Sequence, residues 1–163
     1  DLVQVTVLSY IMAHLYSAKP RHFAERRLEE AQPWADAEDD HPGEFEILGG
    51  LPRDVVGIRA RGIITAQDYE KTLIPLIDAK LKVHDHLKML MIFDETFDSY
   101  SGAAVWDDMR FGFTHLNDFS RIAIVTDIAW IRHSAKLFAP LIRGKVHIFG
   151  VKDLEEARTW IKS

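Results

Sequence analysis

VVGIRARGIITAQDYEKTLIP, residues 55–75, changes its repeat halfway. Over 55–61, Val56, Ile58 and Ala60 fall on one side while Gly57, Arg59 and Arg61 fall on the other, the two-residue period of a strand. Thr65-Ala-Gln-Asp68 then forms a capping box, and Tyr69, Leu73, Leu76 and Ile77 follow at helical spacing. The two arginines predict a sheet face open to water. Pro75, inside the helical run, predicts a kink or break.

Working outward, the same alternation of signals continues. Residues 87–93 (LKMLMIF) are almost wholly apolar and read as an interior strand. Residues 121–126, with IAIV at their centre, read as another. Residues 145–149 alternate, with Val146 and Ile148 inward and Lys145 and His147 outward. A short strand at 45–48 precedes the turn LGGLPRD. Helices are expected at about 102–116, at 127–141 with Asp127 as its cap and Pro140 near its end, and from Asp153 through Ile161. The order is β-β-α-β-α-β-α-β-α, and strands separated by helices favour a largely parallel sheet with right-handed crossovers. Residues 1–43 read differently. QPWADAEDDHPGE carries Pro33, Pro42, Gly43 and five acids, a linker composition. The compact domain is expected at 44–163, with 1–43 an N-terminal extension and acidic linker.

Bulk properties narrow the function. The chain has 163 residues, 47% apolar and 28% charged, enough for one domain with a proper core. Its net charge is −5, and the basic field that a nucleic-acid binder needs is lacking. It has no cysteine, which excludes disulfides and thiol catalysis and fits a reducing, cytoplasmic setting. No apolar run reaches the ~20 residues that would span a membrane. The apolar start, DLVQVTVLSYIMAHLYSAK, lacks a basic n-region and a clean cleavage site and reads as a short strand or helix, with a truncated signal peptide as the lesser alternative.

GIRARGIITAQDYEKTLIP, LMIFDETFDSYSGAAVWDDMRFGFTHLNDFSRIAIVTD and KVHIFGVKDLEEARTWI together resemble the bacterial SpoIIAA-like proteins. These belong with the STAS (anti-sigma-factor antagonist) domains, which are similar in fold to the lipid-binding SEC14/CRAL-TRIO domains. The resemblance covers about residues 44–163. It implies an α/β fold with a four- to five-stranded mixed, mostly parallel sheet and about four helices packed mainly on one face. It also implies a regulatory, non-catalytic role.

STAS antagonists carry a kinase-targeted serine in an Asp-Ser-Ser-Gly motif at a helix N-terminus, where free N–H groups and the helix dipole stabilise a phosphate. The matching stretch here is Asp98-Ser99-Tyr100-Ser101-Gly102, with Tyr100 inserted and Trp106-Asp107-Asp108 standing in place of aliphatics. Ser101, with Ser99 beside it, is therefore a candidate phosphosite. The alternative is a helix N-cap worth about 1 kcal/mol, and capping preference alone accounts for the serine.

On a helical projection Trp106, Met109, Phe113 and Leu116 share the core stripe, and Phe111 lies on the other side beside Asp108 and His115. A single exposed ring is ordinary; the alternative is an interface anchor, since aromatics are enriched at contact centres. In the next helix Ile128, Ile131, Ala135, Phe138 and Ile142 form one stripe and Trp130, Leu137 and Leu141 a second. That arc is wider than packing on one sheet requires. Phe111, Asp108, His115, Trp130 and Leu137 make the candidate interface. Trp106, Phe113, Trp130 and Phe138 are the candidate lining of an apolar pocket, or else ordinary core. Arg132, His133 and Lys136, with Arg121, Arg143 and Lys145, suggest a modest anion patch beside the plainer reading of a solvated face.

His84-Asp85-His86 has no third ligand in view, so no metal or other cofactor is expected. Asp107, Asp108 and His115 read as solvated, and Ser99 or Ser101 with His115 lacks a third partner and a nucleophile-elbow pattern. The leading expectation is a non-catalytic STAS-type domain that binds a protein partner or a second copy of itself as a homodimer. A lipid or apolar-ligand binder is the alternative, and an unrecognised enzyme the third reading.

Overall fold

The computed structural model describes residues 43–100 and 117–163. β1 (Gly43–Ile47) and β2 (Val55–Ile64) form an antiparallel hairpin in which Phe45 faces Ala60 and Glu46 faces Arg59. The connecting loop folds back over the sheet: Leu48 and Leu51 lie where a side chain on Gly57 would have to go. From β2 onward the pairings are parallel. β3 (Leu87–Phe93), β5 (Phe119–Thr126) and β6 (Lys145–Phe149) follow in the order β1-β2-β3-β5-β6, and a short strand β4 (Phe97–Tyr100) pairs with the far end of β2. The described sheet thus has six strands. The one beyond the sequence expectation, β4, ends at Tyr100, and the helix expected at about 102–116 lies outside the described residues.

The strand order explains where the helices go. Each parallel crossover steps in the same direction along the sheet, and right-handed crossovers all stepping one way must deposit their helices on one face. α1 runs from Ala66 through Leu81 in three pieces (Ala66–Asp68, Tyr69–Leu73, Ile74–Leu81) and links β2 to β3. α2 (Ala129–Phe138, continued by the 3-10 turn Ala139–Leu141) links β5 to β6. Both cover the face formed by Val56, Ile58, Ala60, Leu87, Met89 and Ile122, where Tyr69, Leu73, Ile77 and Ile131 are buried. α3 (Leu154–Lys162) follows the last strand and is under no crossover constraint. It takes the other face, setting Ala157 and Ile161 against Leu90, Ile92, Ala123, Val125 and Phe149. Helices therefore lie mainly, but not only, on one side. β3 is apolar on both faces because it is covered on both.

Local chemistry sets the element boundaries. The Thr65 backbone N–H and hydroxyl both donate to Asp68 Oδ2, at 2.7 and 2.9 Å, so the capping box opens α1 as its spelling predicts. Pro75 does not break this helix. A π-helical turn over Tyr69–Leu73 precedes it, with the Ile74 N–H donating to Tyr69 O, and the widened turn absorbs the disturbance of a mid-helix proline. Asp127 does not cap α2: Thr126 Oγ1 accepts the Ile128 N–H at 3.1 Å, and Asp127 Oδ1 instead accepts from the Val151 N–H at 3.2 Å. Among the described residues, no helix is long and apolar enough to cross a membrane.

Candidate functional site

Two groups of side chains sit back to back at the far end of β2. On the helical face, β4 delivers Phe97 and Tyr100 to a cluster of rings. Phe97 is buried, with its ring 5.1 Å from Phe93, 5.2 Å from Tyr100 and 6.3 Å from Trp130 of α2. Tyr100 lies 6.5 Å from Trp130 and 6.4 Å from Tyr69. Such offset and edge-on pairs add about 0.5–1.5 kcal/mol each beyond the area they bury. Tyr100 and Trp130 are half-buried, and together with Phe97 they form an aromatic platform at the end of β4.

Trp130 of the candidate interface is thus wedged against the core, while Leu137, two turns along, is 39% exposed. Phe138 of the candidate pocket is half-buried. Ser99 lies within β4, paired with Ile63, and its Oγ is buried without a hydrogen-bond partner. Ser101, Trp106, Asp108, Phe111, Phe113 and His115 lie outside the described residues. The suggested anion patch is divided. Arg132 spends its guanidinium on the carbonyls of Thr126 (2.8 Å) and Phe149 (3.3 Å), tying together the ends of β5 and β6. Arg121 is on the other side of the sheet, donating to Trp160 O (2.9 Å) and Ser163 Oγ (2.6 Å) at the end of α3. No group of three metal-ligating side chains occurs among the described residues.

The second group occupies the face of β2 that α3 leaves open. Glu46 Oε2 accepts from Arg61 Nε at 2.7 Å and lies 3.5 Å from the Arg59 guanidinium. Arg59 Nε faces Asp94 Oδ2 at 3.0 Å, an ion pair without the alignment of a hydrogen bond. Asp94 Oδ1 accepts from the Thr96 backbone N–H at 3.0 Å and its hydroxyl at 2.6 Å. Sequence reasoning placed both arginines on this water-facing side but missed their partners. The signal for Glu46 is its place opposite Arg59, which becomes visible once the hairpin register is known. Asp94 gave none, because its position depends on the break between β3 and β4.

Burial works against the charge on Asp94. The Thr96 hydroxyl and N–H, with the Arg59 and Arg61 guanidiniums, outweigh it and hold the carboxyl below its ordinary value. A lowered folded pKa means that the stability the charge contributes is complete above the unfolded value of about 3.9 and is lost as pH falls through the folded one. Asp94→Asn is therefore expected to blunt acid sensitivity: urea midpoints of the variant fall less than those of the wild type between about pH 5 and pH 2. Equal slopes for the two proteins would exclude a special role for this carboxylate.

A family model described as SpoIIAA-like matches residues 55–162. Among solved structures, an uncharacterized protein with a SpoIIAA-like fold from Shewanella loihica PV-4 is similar, with a TM-score of 0.61 and 23% identity over 76% of this chain and 98% of that one. No curated protein matches.

Proposed function

Because the chain belongs to the SpoIIAA-like family, we propose that it acts as a non-catalytic regulatory domain of STAS type that binds a protein partner, with a second copy of itself as one such partner. The resemblance of this family to the STAS domains supports a role in protein binding. In this reading residues 44–163 are the binding domain and 1–43 an acidic extension outside it. The observation that supports the reading is the apolar strip along α2: Trp130 is half-buried against a buried Phe97, and Leu137, two turns on, is 39% exposed. Half-buried aromatics over a packed base are the usual anchors of protein contacts.

The test is association measured on two variants. Trp130→Ala and Leu137→Glu are each expected to weaken self-association, or capture of the cognate partner, about tenfold or more, the loss of one or two interface anchors. Light scattering and pull-down read the effect, and circular dichroism verifies the fold. Unchanged association in both variants, or a lipid co-purifying in stoichiometric amount by native mass spectrometry, would overturn the proposal.

A further inference from the structure

The break between β3 and β4 connects the two faces of the sheet. On the open face, Asp94 holds the turn through both Thr96 donors and pairs with Arg59 at 3.0 Å. The same turn closes with the Phe97 N–H on Asp94 O at 3.1 Å and offers Thr96 O to the Gly62 N–H at 2.7 Å. Gly62 has a φ of 60°, a left-handed conformation that glycine adopts without penalty, and the β2–β4 register shifts just after it. Beyond the shift, Ser99 and Tyr100 pair with Ile63 and Ile64, and on the opposite face Phe97 and Tyr100 meet Trp130.

We infer that Asp94 is a latch that keeps β4 docked on β2 and thereby assembles the aromatic platform on the far side of the sheet. β4 is four residues long and, among the described strands, pairs only with β2. So short a strand has little ladder of its own, and its register rests on the turn that introduces it. β3 is held between β2 and β5 and does not depend on β4. Releasing the turn therefore opens β4 locally, in the manner of a low-stability unit, and leaves the sheet closed. Asp94 touches no platform residue's side chain in this scheme; it is a positioning residue that acts through the backbone of 94–97. Arg59 supplies the charge that holds it, and Arg59 and Arg61 are themselves paired with Glu46 of β1.

The latch rests on the interface reading only for its consequence, so its test leaves the partner out. Hydrogen exchange would be followed in the full chain for the wild type, Asp94→Ala and Thr96→Val. The amides of Gly62 and β4 are expected to exchange about tenfold faster in Asp94→Ala and a few-fold faster in Thr96→Val, with the β5 amides within about twofold of wild type. Thr96 is exposed and valine has its shape, which keeps the test readable should Asp94→Ala fail to fold. No acceleration at β4, or an equal acceleration at β5, overturns the latch, because the effect is then absent or global. Accelerated β4 exchange with unaltered partner binding supports the latch and counts against the interface at this surface.

Discussion

Ala157→Glu is expected to destabilise the chain by about 4 kcal/mol, the cost of forcing a carboxylate into a packed apolar layer. Ala157 is fully buried where α3 lies on the sheet, against a cluster that contains Leu90, Ile92, Ala123 and Val125. Ala123, of the same cluster, is also fully buried. A glutamate must either leave its charge unsolvated or lever the helix off the face, which would expose Leu90, Ile92 and Val125. Each of those side chains is worth about 1.5–3 kcal/mol when buried. In urea unfolding followed by circular dichroism, the loss corresponds to a midpoint lower by about 2 M. Glu156→Ala, one residue away and exposed, should move the midpoint by a small fraction of that. If the two variants unfold at similar urea concentrations, α3 does not pack as described.

The residues that specify this arrangement differ in how openly they state it. The hairpin, the interior strand and the start of α1 are local facts: an alternating run, an apolar run and a Thr-x-x-Asp box each fix one element regardless of what surrounds it. The placement of α1 and α2 on one face follows from handedness once the strand order is known. α3 is legible as a helix but not as to its side, because no second strand follows it to constrain the crossover. Its choice rests instead on the cluster that Ala157 and Ile161 join with Leu90, Ile92, Ala123 and Val125, residues far apart in sequence. β4 was hidden for a different reason. Asp98-Ser99-Tyr100 opens a stretch whose hydroxyls suit a helix start, and its pairing with β2, across a register shift beside Gly62, depends on a strand distant in sequence.

The candidate site was legible in the same uneven way. Trp130 and Leu137 stand out because the apolar arc of α2 is too wide for one sheet, and this holds irrespective of register. That Trp130 leans on Phe97 and Tyr100 could not be read, since it needs β4 to be a strand. The charges are similar: Arg59 and Arg61 declare an open face by alternation, but Asp94 reaches them only because the chain turns at 94–96 and resumes in the same direction. Features of this kind, which depend on one local irregularity, are also the ones through which a fold of common design acquires a surface of its own.

Tyr69→Ala should cost about 3–5 kcal/mol, in the range for emptying a large aromatic from a core. Its ring is fully buried, edge-on to Phe45 at 5.1 Å and 85°, and 6.4 Å from Tyr100. It therefore joins the hairpin, α1 and the platform in one contact set. Its backbone carbonyl also accepts the Ile74 N–H that closes the π-turn ahead of Pro75. A cavity here cannot collapse easily, because the helix is pinned by the capping box at one end and by Leu73 and Ile77 beyond. For a domain of this size the loss lowers the melting temperature by about 10 °C. Tyr69→Phe keeps the ring and should lose about 1 kcal/mol with the hydroxyl. Calorimetry gives both values, and hydrogen exchange separates this variant from the latch variants: Tyr69→Ala must accelerate β5 along with β4, since it weakens the whole core. Near-normal melting of Tyr69→Ala would mean that the aromatic platform stands without the residue beneath it, and that its support comes from somewhere other than α1.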